Sequence, residues 1–298
     1  MTELEKLTEA REWLKKRFAG FVPLIVITAG SGLGWLANLL KGKHSCKFSS
    51  VPHCPVARAT GHAGRLCWGK LAGIPVVILQ GRVHYYEGFT IHEVVFLTRL
   101  MIMMAKGKLF FILTHATGAV TRNLEAGDIV AVRSHIASDC PDPTAGPDAK
   151  ELGTEFQPMG DAYSPRLLAL VKRCALKVGV TLHRGVSYFK PGRTYESEAE
   201  GEMMRRVGAD VATMSTIPEV TAAVHMGVKR DEKGQSPCGV TAEVEVLDLA
   251  LVTDMVAGLR QTSVPLSHQE VQMVANQMKR RFGRLVIETV AQIARLCR

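Results

Sequence analysis

The chain has 298 residues, 47% of them hydrophobic, enough to bury one large core because the buried fraction rises with chain length. No apolar run reaches the roughly 18 residues that a membrane-spanning helix needs, and Met1 to Phe18 is charged and helix-like in place of an apolar signal core, so the expectation is a soluble, unexported, cytoplasmic protein with no membrane partner. The formal net charge is +9, but the basic residues are scattered in short clusters such as Lys15-Lys16-Arg17 and Lys279-Arg280-Arg281, without interleaved aromatics, which argues against nucleic acid and leaves anionic small molecules.

In chain order, the charged first stretch reads as a helix, Leu24 to Thr28 as a strand and Trp35 to Leu40 as an apolar helix-like segment. Pro75 to Gln80 reads as a strand, Ile91 to Met104 as a helix, and Leu109 to Thr114 and Ile129 to Val132 as strands. Pro165 to Val178 is helical, Gly185 to Phe189 a strand, Glu196 to Val207 helical, and Val211 to Met214 and Val246 to Val252 are strands. At the end, Ser267-His268-Gln269-Glu270 has capping-box form and Val271, Val274, Met278, Phe282 and Leu285 follow at helical spacing, with His268 in the first turn. Ser138 to Pro158 and Lys229 to Thr241 read as long loops. Buried strands alternating with helices give an α/β class, and residues 1–298 are expected to form one domain. The seven cysteines include no C-x-x-C pair, and an odd number cannot close fully into internal disulfides, so reduced thiols are expected.

The chemistry gathers at strand ends. Leu24 to Thr28 empties through Ala29-Gly30-Ser31-Gly32-Leu33-Gly34 toward a helix-like segment, an arrangement in which backbone amides and the Ser31 hydroxyl converge on an anion. The glycine spacing fits neither a dinucleotide fingerprint nor a Walker loop, which disfavours a nicotinamide enzyme. Arg82 and His84, in Gln80 to Gly88, are two residues apart, so both can face one way. An arginine offers paired donors to an oxyanion, and a histidine holds or passes a phosphate proton near neutral pH. His62 lies in Gly61 to Leu66, and Leu113 to Ala119 opens into small residues that let a ligand approach the backbone. Tyr195-Glu196 sets an aromatic face beside a carboxylate, suited to stacking on a base and reading its edge. Taken singly, each has a bland reading: a tight turn, a core histidine, a helix-favouring acid or, for Met214, core filling.

With these motifs in this order, the chain resembles the trimeric purine nucleoside phosphorylases, in Ala29 to Gly34, Gly61 to Leu66, Gln80 to Gly88, Pro191 to Glu200 and Gly208 to Val220. Met214-Ser215-Thr216-Ile217-Pro218-Glu219-Val220 is close to a family signature. The resemblance implies an α/β fold with a central mixed sheet flanked by helices, and a homotrimer with active sites near subunit interfaces. The implied reaction is phosphorolysis of purine nucleosides or deoxynucleosides, with inorganic phosphate as co-substrate and no metal or organic cofactor. It implies phosphate contacts from Ser31, His62, Arg82, His84, the Ala116 backbone and Ser215. Tyr86, Met214 and His268 would line the ribose, and Phe156 would reach the neighbouring subunit's ribose site. Thr117, Gly118, Tyr195, Glu196 and Asp254 would meet the base, with His84, Glu196 and Asp254 as the catalytic groups.

The chain departs from the family pattern at Asp254, where asparagine is usual. A protonated aspartic acid donates to N7 and accepts from a 6-amino group, whereas an ionised one repels a purine O6. The related methylthioadenosine phosphorylases carry aspartate in this region, so enhanced acceptance of 6-aminopurines is expected, with a methylthioadenosine phosphorylase as the alternative activity. Glu196 points instead to a 6-oxopurine through N1–H, and His268 to a 5′-hydroxyl. His115 replaces a common asparagine, Thr117 and Ala119 replace smaller residues, and Met255 replaces a polar one. A non-catalytic nucleoside or phosphate sensor is the reading from a different class.

Overall fold

An unbroken apolar run has no face to offer water, so it belongs inside a sheet covered on both sides. Ile25–Ala29 (β1) is close to such a strand, with Thr28 its one polar residue and every residue buried. It pairs in parallel with Ile74–Gln80 (β4) and Lys108–Ala119 (β5), and Ala29 lies level with Gln80 and Thr114. Gly30, Gly81 and His115 therefore stand at one carboxyl edge, the usual place for a ligand in a parallel sheet. The computed structural model describes residues 1–58, 61–227, 242–259 and 268–297. The expected loop at Lys229 to Thr241, Ser267 of the expected capping box and the His268 side chain lie outside the described residues.

Among the described residues the sheet is mixed and nine-stranded, adding Lys41–Lys47 (β2), Arg65–Leu71 (β3), Ile129–Ile136 (β6), His183–Phe189 (β7), Val211–Thr213 (β8) and Glu243–Met255 (β9). Its order is β2-β3-β4-β1-β5-β8-β7-β6-β9, and β9 pairs again with β5, so the last five strands close into a ring beside the open half. The helices are Glu3–Phe18 (α1), Ile91–Met104 (α2), Ala149–Leu152 (α3), Pro165–Val178 (α4), Glu198–Arg206 (α5), Ile217–Met226 (α6), His268–Gln277 (α7) and Lys279–Ile293 (α8). Helix α2 packs against α1 and α6, and α4 against α8, and these groups flank the sheet. No described helix is long and apolar enough to cross a membrane.

Each of the expected strands is present, and several boundaries and elements differ for identifiable reasons. β2 and β3 fall outside the expected strands because KGKHSCK and RLCWGKL lack a clean apolar alternation. β3 turns into β4 through Ala72-Gly73 at φ 50 and 84, a two-residue turn whose twist suits antiparallel strands, with alanine where asparagine is the usual signal. Trp35 to Leu40 is a 3-10 helix, Gly34–Leu39. The C-terminal pattern is two helices that meet at Met278, and α6 was not marked by the apolar runs. The stretch Glu196 to Val207 starts its helix at Glu198, because Ser197 is the N-cap: its hydroxyl accepts from Glu200 N–H while the Glu200 carboxylate accepts from Ser197 N–H. Glu196 is thereby left outside the helix.

Candidate active site

The carboxyl edge of β1 and β4, the second half of β5 and the start of α7 enclose a cavity of about 550 Å³. Ser31, Arg82, His84, Tyr86, Ala116, Thr117, Gly118, Tyr195, Glu196, Met214, Ser215 and Asp254 all line it. These residues come from distant stretches of chain, so their convergence is a property of the fold. His62 stands behind the wall, Phe156 lies away from it and is 87% exposed, and the His268 side chain is outside the described residues.

On one wall the donors are held in place from behind. Arg82 is buried; its Nε lies 2.9 Å from Glu219 Oε2 and its Nη2 donates to the Thr114 carbonyl at 3.2 Å. Burial, with Asp248 adding, pushes the Glu219 carboxyl above the usual range against the pull of Arg82. Gly30 is required here, since a Cβ would lie 2.6 Å from Arg82 Nη1 and 2.8 Å from the Thr114 carbonyl oxygen. His62 Nδ1 lies 2.9 Å from both the N–H and the carbonyl oxygen of Arg82, and Nε2 lies 3.1 Å from Ser31 Oγ. In the tautomer with its hydrogen on Nε2, His62 accepts from Arg82 N–H and donates to Ser31, which leaves the Ser31 hydroxyl hydrogen to a ligand.

His84 is fixed in the same way. Its Nδ1 lies 2.8 Å from Glu87 Oε1, and the same oxygen accepts from His84 N–H at 2.9 Å. Burial raises the Glu87 carboxyl, but hydrogen bonds from His84 and from Arg58 N–H outweigh it and hold the group below the usual carboxylate range. Burial pushes His84 down, with Arg82 adding and Glu87 opposing. A neutral ring that donates from Nδ1 to a carboxylate presents Nε2 as an acceptor. The His84 ring stacks on Tyr86 at 4.6 Å between centroids. Tyr86 and Met214 converge on Gly192, whose Cβ would lie 2.8 Å from Met214 Sδ and 3.0 Å from Tyr86 Cδ1.

The other wall is acidic and aromatic. Burial pushes Glu196 above the usual carboxylate range, with a hydrogen bond from its own backbone N–H and the Lys190 charge opposing. Asp254, 8% exposed, accepts from Thr253 Oγ1 at 2.8 Å, and its Oδ2 lies close to Gly118, where a Cβ would come within 3.0 Å. Tyr195 is half-exposed, and burial, then Asp254 and Glu196, push its hydroxyl up. Arg58, Arg193, Ala212, Thr213, Thr253, Gln269 and Val271 also line the cavity without having been singled out, and His115 was marked only as a departure. Arg193 adjoins a motif already in view, whereas nothing local marks Arg58. Among the described residues no group of three or more His, Cys, Asp or Glu side chains is arranged to hold a metal.

A family model described as Phosphorylase superfamily matches residues 24–291. Over 289 residues the chain is 36% identical to purine nucleoside phosphorylase 1 of Geobacillus stearothermophilus, covering 97% of this chain and 98% of that one. Over 270 residues it is 34% identical to purine nucleoside phosphorylase 1 of Bacillus subtilis (strain 168), covering 91% and 92%. The crystal structure of Schistosoma mansoni purine nucleoside phosphorylase in complex with adenosine superposes with a TM-score of 0.83 at 30% identity, over 96% of each chain. A purine nucleoside phosphorylase in complex with ribose-1-phosphate superposes with a TM-score of 0.78 at 31% identity, over 96% of this chain and 98% of the other. Matches of this extent take in the sheet, the flanking helices and every described wall of the cavity, and the chain belongs to the phosphorylase superfamily, in its purine nucleoside phosphorylase family.

Proposed function

We propose that the protein cleaves the N-glycosidic bond of purine nucleosides and deoxynucleosides with inorganic phosphate, releasing the base and the pentose 1-phosphate. The observation that carries this reading is the division of one cavity between anion donors, Ser31, Arg82, His84 and Ser215, and base-reading groups, Tyr195, Glu196 and Asp254. Its volume of about 550 Å³ suits a small polar ligand of nucleoside size.

In this reading Arg82, Ser31, Ser215 and the Ala116 N–H hold phosphate, and His62 acts through Ser31. The acceptor nitrogen of His84 takes the hydrogen of a protonated phosphate oxygen, which leaves the charged oxygens toward C1′. Tyr86 and Met214 flank the ribose, with His268 toward its 5′-hydroxyl. As the glycosidic bond stretches, phosphate stabilises the cationic sugar. Negative charge gathers on the purine, and a protonated Asp254 donates to N7 while Glu196 meets the N1 edge and Tyr195 and the Thr117-Gly118 backbone cover the ring. The nucleophile is already an anion and the leaving group is protonated by a side chain, so the chemistry calls for no metal or organic cofactor.

The same reading makes the working form a homotrimer in which Phe156, a large exposed apolar side chain on a loop, completes a neighbour's ribose site. Cys46, Cys54, Cys67, Cys140 and Cys174 are unpaired, in keeping with a reducing cytoplasm.

Asp254 favours 6-aminopurines, which accept its proton at N7 and offer an amino hydrogen to its second oxygen. Asp254→Asn lowers the ratio of kcat/KM for adenosine over inosine by about tenfold, the size of one directed hydrogen bond lost to the wrong partner. An unchanged ratio would remove Asp254 from base selection, and methylthioadenosine run alongside reads the 5′ substituent.

A further inference from the structure

Behind Ser215 runs a buried line of polar groups that the reaction described above does not use. His115, on β5, is 1% exposed, and its two ring nitrogens face different partners. Nε2 lies 3.3 Å from Asp248 Oδ1 on β9, while Nδ1 lies 3.2 Å from the Ala116 carbonyl oxygen and 3.2 Å from Thr213 Oγ1. A carbonyl oxygen only accepts, so Nδ1 carries a hydrogen and shares it between the two oxygens.

Thr213 Oγ1 receives that hydrogen and also accepts from Ser215 N–H at 3.3 Å. With both acceptor positions taken, its own hydrogen points to Ser215 Oγ, 3.2 Å away. Ser215 Oγ is thereby an acceptor on the Thr213 side and directs its hydrogen into the cavity that it lines. We propose that His115 and Thr213 are positioning residues that form a one-way hydrogen-bond relay, fixing the Ser215 hydroxyl as a donor to the phosphate oxyanion. The proposal rests on the phosphorolysis reading only in taking phosphate as that anion.

The far end of the relay explains why the ring does not turn. Asp248 is wholly buried, and neither of its oxygens has a well-aligned hydrogen-bond partner among the described residues. Around it stand Glu219 from α6, paired with Arg82, and Tyr163 and His135. The Nε2 edge of the His115 ring lies 3.3 Å from Asp248 Oδ1, which turns that edge toward the carboxyl and leaves Nδ1 facing Ala116 and Thr213. Flipping the ring would put Cδ2 where Nδ1 stands and strip Thr213 of its donor.

The test is calorimetric titration of inorganic phosphate into the full-chain protein, with steady-state KM values for phosphate and inosine alongside. Thr213→Val keeps the shape and removes the hydroxyl, and it weakens phosphate binding by about tenfold, the effect of one hydrogen bond to a charged ligand. Thr213→Ser restores the hydroxyl and returns the affinity to within about threefold, while the inosine KM moves by less than about twofold in both. His115→Ala loses the affinity that Thr213→Val loses, and His115→Asn, which keeps an N–H near the Nδ1 position, recovers most of it. Phosphate affinity unchanged in Thr213→Val, or equally weak in Thr213→Ser, or an inosine KM that rises in step with the phosphate KM, would overturn the relay. So would failure of the unsubstituted protein to bind phosphate. Phosphate binding without base release strikes the phosphorolysis reading alone, because the titration needs no turnover.

Discussion

Ser31 takes its orientation from His62, whose Nδ1 lies 2.9 Å from both the N–H and the carbonyl oxygen of Arg82 and whose Nε2 lies 3.1 Å from Ser31 Oγ; with the ring hydrogen on Nε2, Ser31 Oγ is an acceptor on its inner side. The same burial has a cost in acid. Burial, with His84 and Arg82 adding, pushes His62 down to about 3, against roughly 6.5 in an unfolded chain. The folded state therefore binds fewer protons than the unfolded state between those values, so stability is complete above about pH 6.5 and is lost as pH falls toward about 3, by at most about 1.4 kcal/mol per pH unit for this one group. His84, His135 and His225 are pushed down mainly by burial too and steepen the slope, so the informative quantity is a difference. Urea denaturation between pH 7 and pH 4 gives a shallower pH dependence for His62→Asn than for the unsubstituted protein. Parallel slopes would show that His62 titrates normally in the folded state.

At the scale of elements, the junction of β1 with the loop at Gly30 sets the phosphate wall. Gly30→Ala places a methyl against Arg82 Nη1, which can swing away, and against the Thr114 carbonyl oxygen, which cannot because β5 holds it. The substitution displaces the guanidinium from Glu219 and weakens phosphate binding by at least about tenfold, with a stability loss of about 1–3 kcal/mol from overpacking. Phosphate titration and thermal unfolding of the variant measure the two effects, and native phosphate affinity would show that Arg82 tolerates the intrusion. Elements of this kind were legible in the sequence because a fully buried strand is almost wholly apolar, as in Ile25–Ala29 and Leu109 to Thr114, each with a single threonine. β2 and β3 were not, since β2 pairs only with β3, and β3 is registered on β4 through a turn carrying the wrong signal residue, Ala72. Glu196 and Asp254 could be read from local motif and family pattern. Arg58 could not, because it reaches the cavity through a loop held by the carboxylate of Glu87, a contact 29 residues away in the chain.

For the whole molecule, β5 is the hinge of the architecture. Its twelve residues run beside β9 throughout, with β1 paired to the stretch Phe110 to Thr114 and β8 to Gly118 and Ala119. The stretch His115 to Gly118 lies where the two halves meet and lines the cavity, so the anion wall, built on β1 and β4, and the base wall, built around β9 and the start of α5, face each other across one strand. A ligand that bridges the walls must carry an anionic part and a flat polar part, as phosphate and a purine nucleoside together do. The direct measurement is release of free purine from inosine and adenosine by the full-chain protein with and without inorganic phosphate. Phosphorolysis gives base release with stoichiometric pentose 1-phosphate when phosphate is present, and loss of both products when it is withheld. Base released at the same rate without phosphate, or no release from either nucleoside, would contradict phosphorolysis.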